Sequence, residues 1–229
     1  MQGAVSAAKA KKHVIVEKPL EVTIEKCDEI IEAARHNNVK LAGIFQSRFH
    51  QGAILMKQAL EENRFGTILL ANAQVKWFRS QEYYDSVAWR GTWKLDGGGA
   101  VMNQSIHAID LLQWFVGGVE EVTAHAATLA HERIEVEDTA VAMLRLKSGG
   151  FAVIESSTGV YPGFLKRIEI CGTKGSAILE EEDLIHWSFA EEKEGDEAIR
   201  ARIGAGSSTG GGASNPTSIG IHGHVAQFK

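Results

Sequence analysis

A lysine near the start of the chain has the surroundings of a group that handles protons. Lys18 lies in the segment Glu17-Lys18-Pro19, directly after the β-branched run at 13–16, which predicts a short buried strand. Open α/β sheets bind ligands beyond the carboxyl ends of their strands. A partly desolvated lysine there has a lowered pKa and can donate to a hydroxyl or carbonyl oxygen of a substrate. The alternative interpretation is a solvated lysine at the end of a strand.

Three polar residues recur at helical spacing later in the chain. Asn103, His107 and Asp110 fall at positions i, i+4 and i+7, so a helix would place them on one face. The opposite side carries apolar residues, namely Val101, Ile109 and Leu112. Histidine is the natural acid or base near neutral pH, and a carboxylate one turn on can fix its tautomer. Side chains that tie neighbouring loops are one alternative. A metal site is another, but asparagine is a weak ligand and no second histidine stands at helical spacing.

Other polar segments leave both a functional and a structural interpretation open. In Trp89-Arg90-Gly91-Thr92-Trp93, the arginine could pair with a phosphate or carboxylate and the rings could stack on a sugar, or the loop could pack on a sheet. Glu135, Glu137 and Asp138 form either an acidic site or the solvated face of a strand. The segment Tyr161-Pro162-Gly163 indicates first of all a turn.

Alternating elements must position the first of these residues. A helix end over 2–12 precedes the strand at 13–16. Thr23 can cap a helix over 24–36, and a strand follows at 39–45, so the order suggests a right-handed parallel crossover. The pattern then predicts a helix at 50–63, a strand at 68–78, an aromatic loop at 79–96, and a helix from Gly97-Gly98-Gly99 to about Phe115. Strand candidates follow at 121–130, 136–147, 150–158, 165–171 and 175–180. Consecutive short strands without helices between them indicate an antiparallel or mixed sheet.

Composition narrows the class of protein. The 229 residues are 44% hydrophobic and carry a net charge of −5, values of an ordinary globular chain with no general basic field. We therefore expect neither nucleic acid nor membrane as a partner. Cys27 and Cys171 stand far apart, which argues against a disulfide framework and for a reducing compartment. No apolar run approaches the roughly 18 residues that cross a bilayer, nor is there a signal-peptide core, so we expect a cytoplasmic protein.

Taken together, the segments resemble a family of NAD(P)-dependent oxidoreductases, the glucose–fructose oxidoreductase, inositol dehydrogenase and rhizopine-catabolism (GFO/IDH/MocA) family. The resemblance extends in order over nearly the whole chain. It rests on Val16-Glu17-Lys18-Pro19-Leu20, Phe45-Gln46-x-Arg48-Phe49, Trp89-Arg90, the stretch Gly97 to Asp110, Val136-Glu137-Asp138-Thr139-Ala140 and Ile170-Cys171-Gly172-Thr173-Lys174-Gly175.

The resemblance implies two domains and a division of labour between them. Residues 1–46 would be the C-terminal remnant of a Rossmann domain that binds NAD or NADP. Residues 47–229 would form an α+β domain with a large, mostly antiparallel or mixed sheet that binds a sugar, sugar nucleotide or polyol and forms a homo-oligomer, a dimer or tetramer, through that sheet. Within it, the glycine-rich stretch 204–223 reads as a flexible loop.

The resemblance also assigns roles to residues. Lys18, His107 and Asn103 are the expected catalytic residues, with His107 as the base and Lys18 as the donor that steadies the substrate oxygen. The expected cofactor-binding residues are Glu17, Lys18, Pro19, Gln46, Trp89 and Arg90. The expected substrate-binding residues are Lys18, Arg48, Asn103, His107, Asp110 and Tyr161. The reaction would be hydride transfer between a carbinol carbon and the nicotinamide.

Two departures from the family pattern qualify these roles. Asn103 stands where many members have aspartate, and this places the chain nearer the members that act on nucleotide-sugar-like substrates. It also argues against a proton relay assisted by a carboxylate at this position, because an amide accepts no proton at neutral pH. No Gly-x-Gly-x-x-Gly follows any predicted strand, so we expect weak binding of NAD(H) by a chain truncated at both ends. A sugar-binding or oligomerising module without catalysis is therefore the competing function.

Overall fold

Two short parallel strands open the chain. In this computed structural model, which describes residues 2–203 and 222–228, α1 (Gln2–Lys9) precedes β1 (Val14–Val16), and α2 (Ile24–His36) leads to β2 (Leu41–Gly43). β1 and β2 pair in parallel, as the sequence predicts. Thr23 caps α2 as expected, since its side chain accepts a hydrogen bond from the backbone N–H of Lys26 at 3.4 Å.

The middle of the chain supplies the helices that flank the site. A 3-10 turn (Gln46–Phe49) leads into α3 (Gln51–Glu61), and β3 (Ile68–Lys76) follows. The region predicted as an aromatic loop contains one short helix, α4 (Gln81–Asp85), capped by Ser80. A π-helical turn (Ala100–Gln104) then precedes α5 (Ile106–Val116). The predicted helix after the glycine triplet is thus two segments of different geometry.

The rest of the described chain is mainly strands. They are β4 (Val119–Ala127), β5 (Thr139–Leu146), β6 (Phe151–Ser157), β7 (Arg167–Gly172), β8 (Gly175–Glu180) and β9 (Asp183–Phe189), followed by α6 (Asp196–Arg202) and α7 (His222–Gln227). The seven-stranded sheet has the order β4-β5-β6-β3-β7-β8-β9. Among the paired strands of this seven-stranded sheet, only β3 and β6 run parallel, so the predicted mixed, mostly antiparallel sheet is confirmed.

Two sequence predictions require correction. The strand predicted from 136 begins only at Thr139, because the Glu137 and Asp138 carboxylates bind backbone N–H groups of neighbouring loops. β9 was missed, although it pairs with β8 along its length. Its composition, with Asp183 and His186 among apolar residues, weakens the strand pattern. The predicted loop at 204–223 lies almost wholly outside the described residues.

One face of the large sheet forms the core against α3 and α5. Ala71, Ala73 and Val75 of β3 point into it, and Leu111 and Leu112 of α5 cover them. The alternation of side chains along a strand sends Leu70 and Gln74 to the other face, which no described helix covers. No helix in the described ranges has the length and apolar character needed to cross a bilayer.

A buried ion pair fixes α6 against the far edge of the sheet. The Arg64 guanidinium, after α3, donates to both oxygens of Asp196 at 2.9 and 2.6 Å. The Trp187 indole N–H and the Lys193 backbone N–H donate to the same carboxylate at 2.7 and 2.8 Å. These donors hold the pKa of Asp196 well below its usual range, with the Arg64 hydrogen bonds as the main cause.

We therefore expect Asp196→Ala to destabilise the fold by about 3–5 kcal/mol, because it leaves the buried Arg64 charge and the Trp187 N–H without their hydrogen-bond acceptor. Urea unfolding followed by circular dichroism measures this change. The matched control is Glu192→Gln, which removes an exposed ion pair with Arg200 and should leave the unfolding midpoint nearly unchanged. Equal effects of the two substitutions would refute the assignment.

Candidate functional site

A partly buried carboxylate contacts the turn that carries the site. Glu137 accepts hydrogen bonds from the backbone N–H groups of Gly99 at 3.1 Å and Val101 at 3.0 Å, where the π-helical turn begins. A Cβ atom on Gly99 would lie 1.7 Å from the Glu137 carbonyl oxygen, so only glycine fits. Glu137 is therefore a backbone anchor, and its interpretation as a solvated strand face is wrong.

Lys18 follows β1 and reaches this turn. Its Nζ donates to the backbone oxygen of Asn103 at 3.0 Å, which joins the parallel unit to the helix region of the larger domain. Burial lowers the pKa of Lys18, while the carboxylates of Glu17 and Asp96 oppose that shift. The alternative of a solvated strand-end lysine is thus wrong, because the side chain is half-buried and bonded across domains.

His107 lies in the first turn of α5, inside the site. Its Nε2 is 3.4 Å from the Gln46 amide nitrogen, and its ring packs edge-on against Phe45. Its Nδ1 is buried and has no partner among the described residues. Burial, together with the nearby charges of Lys18 and Lys166, lowers the pKa of His107 to about 3. The imidazole is therefore neutral at physiological pH and can accept a proton.

The three predicted polar residues, Asn103, His107 and Asp110, contact three different partners. Asn103 donates through Nδ2 to Asp96 at 2.7 Å, and Asp110 forms a two-pronged ion pair with Arg48, whose Nε lies 2.8 Å from Oδ2. Arg48 satisfies both Asp110 oxygens, so the expectation that this carboxylate fixes the His107 tautomer is wrong. The pair instead ties the 3-10 turn to α5. The π-helical turn also displaces Asn103 from the simple i, i+4 register.

Several charged residues around His107 escaped the sequence analysis. Lys166 is buried, with its Nζ 3.6 Å from Glu181, and its charge acts on His107. His50 and His224 add to the same positive surroundings. α7 brings His224 in by packing closely on the 3-10 turn: a Cβ on Gly223 would lie 2.6 Å from the Gln46 carbonyl oxygen. These contacts join parts of the chain that are distant in sequence. No local sequence motif could therefore have predicted them.

A cavity of about 320 Å³ opens beside Lys18. Its lining includes Pro19, Trp89, Asp96 and Asn103, so the predicted cofactor-binding residues of the first strand and of the aromatic loop do meet. Arg90 does not line it. Its guanidinium bonds to the Tyr83 carbonyl oxygen and stacks on the Tyr83 and Trp89 rings, so it supports Trp89 from behind.

Tyr161 lies apart from the residues gathered around Lys18. Its side chain is 79% exposed, and its described ring contact is with Phe78, at 5.2 Å between centroids. The described residues contain no cluster of three or more histidine, cysteine or acidic side chains arranged to hold a metal ion. The groups that could take part in proton chemistry are the neutral imidazole of His107 and the half-buried ammonium group of Lys18, of which Lys18 lines the cavity.

A parallel strand–helix–strand unit with a lysine at its carboxyl edge is thus joined to a large mixed sheet whose flanking helix α5 carries a histidine. Residues 54–178 match the model of the GFO/IDH/MocA C-terminal domain, and residues 1–45 match that of the oxidoreductase family with the NAD-binding Rossmann fold. The chain belongs to the GFO/IDH/MocA family.

The relatives of this chain include an inositol dehydrogenase and a levoglucosan dehydrogenase. Myo-inositol 2-dehydrogenase of Thermotoga maritima is 33% identical over 177 residues, which cover 75% of this chain and 50% of the relative. The chain spans about half the length of the curated relatives that it matches.

Two solved structures have a fold similar to that of this chain. The WlbA dehydrogenase from Bordetella pertussis, in complex with NADH and UDP-GlcNAcA, is 40% identical with a TM-score of 0.83, over 87% of this chain and 60% of that one. The WlbA dehydrogenase from Chromobacterium violaceum, in complex with the same two ligands, is 36% identical with a TM-score of 0.82, over 99% and 63% of the two chains.

The lowered pKa of His107 predicts a specific pH dependence of stability. The unfolded chain takes up a proton on this residue as the pH falls through the ordinary histidine range, and the folded protein does not. The stability that comes from the neutral buried imidazole is therefore complete above that range and declines as the pH falls towards 3.

We expect His107→Gln to reduce the slope of unfolding free energy against pH by up to about 1.4 kcal/mol per pH unit at mildly acidic pH. Urea unfolding at a series of pH values measures the slope. His125→Gln, on the exposed strand β4, is the matched control for the loss of a histidine. Parallel curves for His107→Gln and the wild type would contradict the prediction.

Proposed function

We propose that this protein acts as an NAD-dependent dehydrogenase on a hydroxyl group of a UDP-linked sugar acid. The observation that carries the proposal is the proximity of Lys18 and His107: Lys18 bonds to Asn103 near the end of the π-helical turn that leads to His107, and its charge lowers the pKa of the imidazole. The similarity to two dehydrogenases whose structures contain NADH and UDP-GlcNAcA supports the cofactor and the substrate class.

The two side chains divide the proton chemistry between them. Lys18, as a donor, holds the substrate oxygen and stabilises the negative charge that develops on it. His107, neutral and buried, takes the hydroxyl proton as the carbinol carbon is oxidised. NAD, when bound, supplies the acceptor for the hydride.

Residues along the edge of β1 are proposed to hold the nicotinamide end of the cofactor. Glu17, Lys18 and Pro19 follow the strand, and Trp89 faces Lys18 and Pro19 across the cavity. Gln46 has a buried amide oxygen without a described partner, as expected of a group that meets a ligand. The fit of these residues supports NAD as the cofactor, although Arg90 contributes through Trp89 only.

The charges around His107 favour an anionic substrate. Lys18 and Lys166 both lower the histidine pKa, which makes the imidazole a weak base in the absence of a ligand. A carboxylate or phosphate near these ammonium groups offsets their charge and raises the pKa of His107 towards the pH of the reaction. A neutral polyol leaves both charges in place, so a sugar acid fits this surrounding better.

The uncovered face of the large sheet is the proposed surface for homo-oligomer formation. Leu70 and Phe151 lie side by side on β3 and β6, and Val141 and Met143 continue the patch on β5; all four side chains are about half exposed. A contiguous apolar patch on a sheet face is typical of a subunit interface. A second copy of the chain would cover this patch in a dimer or tetramer.

Calorimetric titration with UDP-GlcNAcA tests the substrate class. We expect the wild type to bind the sugar acid. Lys18→Ala should bind it about tenfold more weakly, because a charge-assisted hydrogen bond is lost. For the same reason the wild type should bind UDP-N-acetylglucosamine, which lacks the carboxylate, about tenfold more weakly than the sugar acid. Absence of binding at millimolar concentrations would refute the proposal. NADH formation from the sugar acid and NAD separates a dehydrogenase from a binding module, in which binding occurs without turnover.

Sedimentation velocity tests the interface. Phe151→Glu places a charge in the centre of the apolar patch and should convert the wild-type oligomer to a monomer. Ile24→Glu, at an exposed position of α2, is the matched control and should keep the wild-type sedimentation coefficient. A monomeric wild type would rule out the interface.

A further inference from the structure

We propose that Asp96 is a positioning residue that fixes the orientation of the Asn103 amide and holds the Lys18 ammonium group beside it. Asp96 stands just before the glycine triplet and was not among the candidates from the sequence. Its consequence for substrate binding rests on the proposed function, whereas its action on Lys18 does not.

The Asp96 carboxylate is itself rigidly held. Only 8% of the residue is exposed. Its Oδ2 accepts a hydrogen bond from the Gly91 backbone N–H at 2.8 Å, and its own N–H donates to the Thr92 carbonyl oxygen at 3.0 Å. The loop that carries Trp89 therefore fixes the carboxylate, and Oδ1 is directed to Asn103 at 2.7 Å. A buried carboxylate with a fixed geometry can orient a neighbouring amide.

This contact determines which end of the Asn103 amide meets a ligand. An amide has one donating and one accepting end. The donating end of Asn103 is bound to Asp96, so the accepting oxygen remains, with only a long 3.4 Å contact from Gln104. Lys18 supplies a donor at the same cavity. Together they present one donor and one acceptor, which is the pair that a sugar hydroxyl requires.

The same carboxylate acts on the Lys18 charge. Three titratable groups influence Lys18 or are influenced by it: Glu17 on its own segment, Asp96 from the loop, and His107 on α5. Glu17 is exposed, so salt screens its effect, whereas Asp96 is buried and is screened much less. Asp96 therefore opposes the effect of burial and raises the pKa of Lys18, in addition to Glu17.

The titration of Lys18 in the full chain tests the proposal directly. Lysine side chains are reductively methylated with carbon-13, and the Lys18 resonance is identified by its loss in Lys18→Arg. We expect Asp96→Asn, which retains an oxygen for the Gly91 N–H, to move the Lys18 midpoint to lower pH, at high as well as low salt. Glu135→Gln, which removes an acid bonded to the backbone of the same loop, is the matched control and should leave the midpoint in place. An unchanged midpoint in Asp96→Asn overturns the proposal.

An exchange variant keeps the test decisive if Asp96→Asn does not fold. The double substitution Asp96→Asn and Asn103→Asp restores a carboxylate–amide pair at the same two positions. We expect its Lys18 midpoint to equal or exceed that of the wild type. A midpoint below the wild-type value would overturn the proposal.

Binding of UDP-GlcNAcA supplies the second readout. With the Asn103 amide no longer fixed, Asp96→Asn should bind the sugar acid about tenfold more weakly, the loss of one oriented hydrogen bond, while Glu135→Gln should bind as the wild type does. Wild-type affinity in Asp96→Asn would refute the effect on substrate. If the wild type itself does not bind, the proposed function fails, and the Lys18 titration still decides the role of Asp96.

Discussion

The site depends on the hydrogen bonds that the Glu137 carboxylate accepts from the backbone N–H groups of Gly99 and Val101. These hydrogen bonds connect the segment just before β5 to the start of the π-helical turn, and they set where that turn begins. The turn presents the Asn103 carbonyl oxygen to Lys18 and sets the first turn of α5, with His107, into the site. Without the carboxylate of Glu137, the backbone N–H groups of Gly99 and Val101 would lose these hydrogen-bond acceptors, which destabilises the start of the turn.

Local signals in the sequence were enough to place Lys18 after a strand and His107 on a helix and to predict the capped helix α2, because each depends on residues close to it in the chain. The mixed sheet also followed from the spacing of its strands. What could not be predicted depends on contacts between distant segments. A continuous helix after the glycine triplet is what local spacing favours, and only the Glu137 contact explains the π-helical turn. Asp96 and Lys166 look like ordinary charged residues until the fold buries them beside Lys18 and His107.

The distribution of charge inside the protein differs from its overall balance. The chain has a net charge of −5, yet the groups that act on His107 are cations and other histidines. Some of the acids lie away from these cations: Glu137 and Asp138 accept hydrogen bonds from backbone N–H groups, and Asp110 pairs with Arg48. Two buried acids lie next to the cations themselves, Asp96 near Lys18 and Glu181 beside Lys166.

The packing of α7 on the 3-10 turn has a consequence for the order in which the molecule is completed. Gln227 donates to the Gly43 carbonyl oxygen at 2.9 Å across 184 residues of sequence, and Gly223 lies against His50 and Gln46. Contacts between residues so far apart in the sequence form after the local elements have formed. During synthesis on the ribosome, the contacts of α7 with Gln46, His50 and Gly43 can therefore form only after residues 222–227 have emerged.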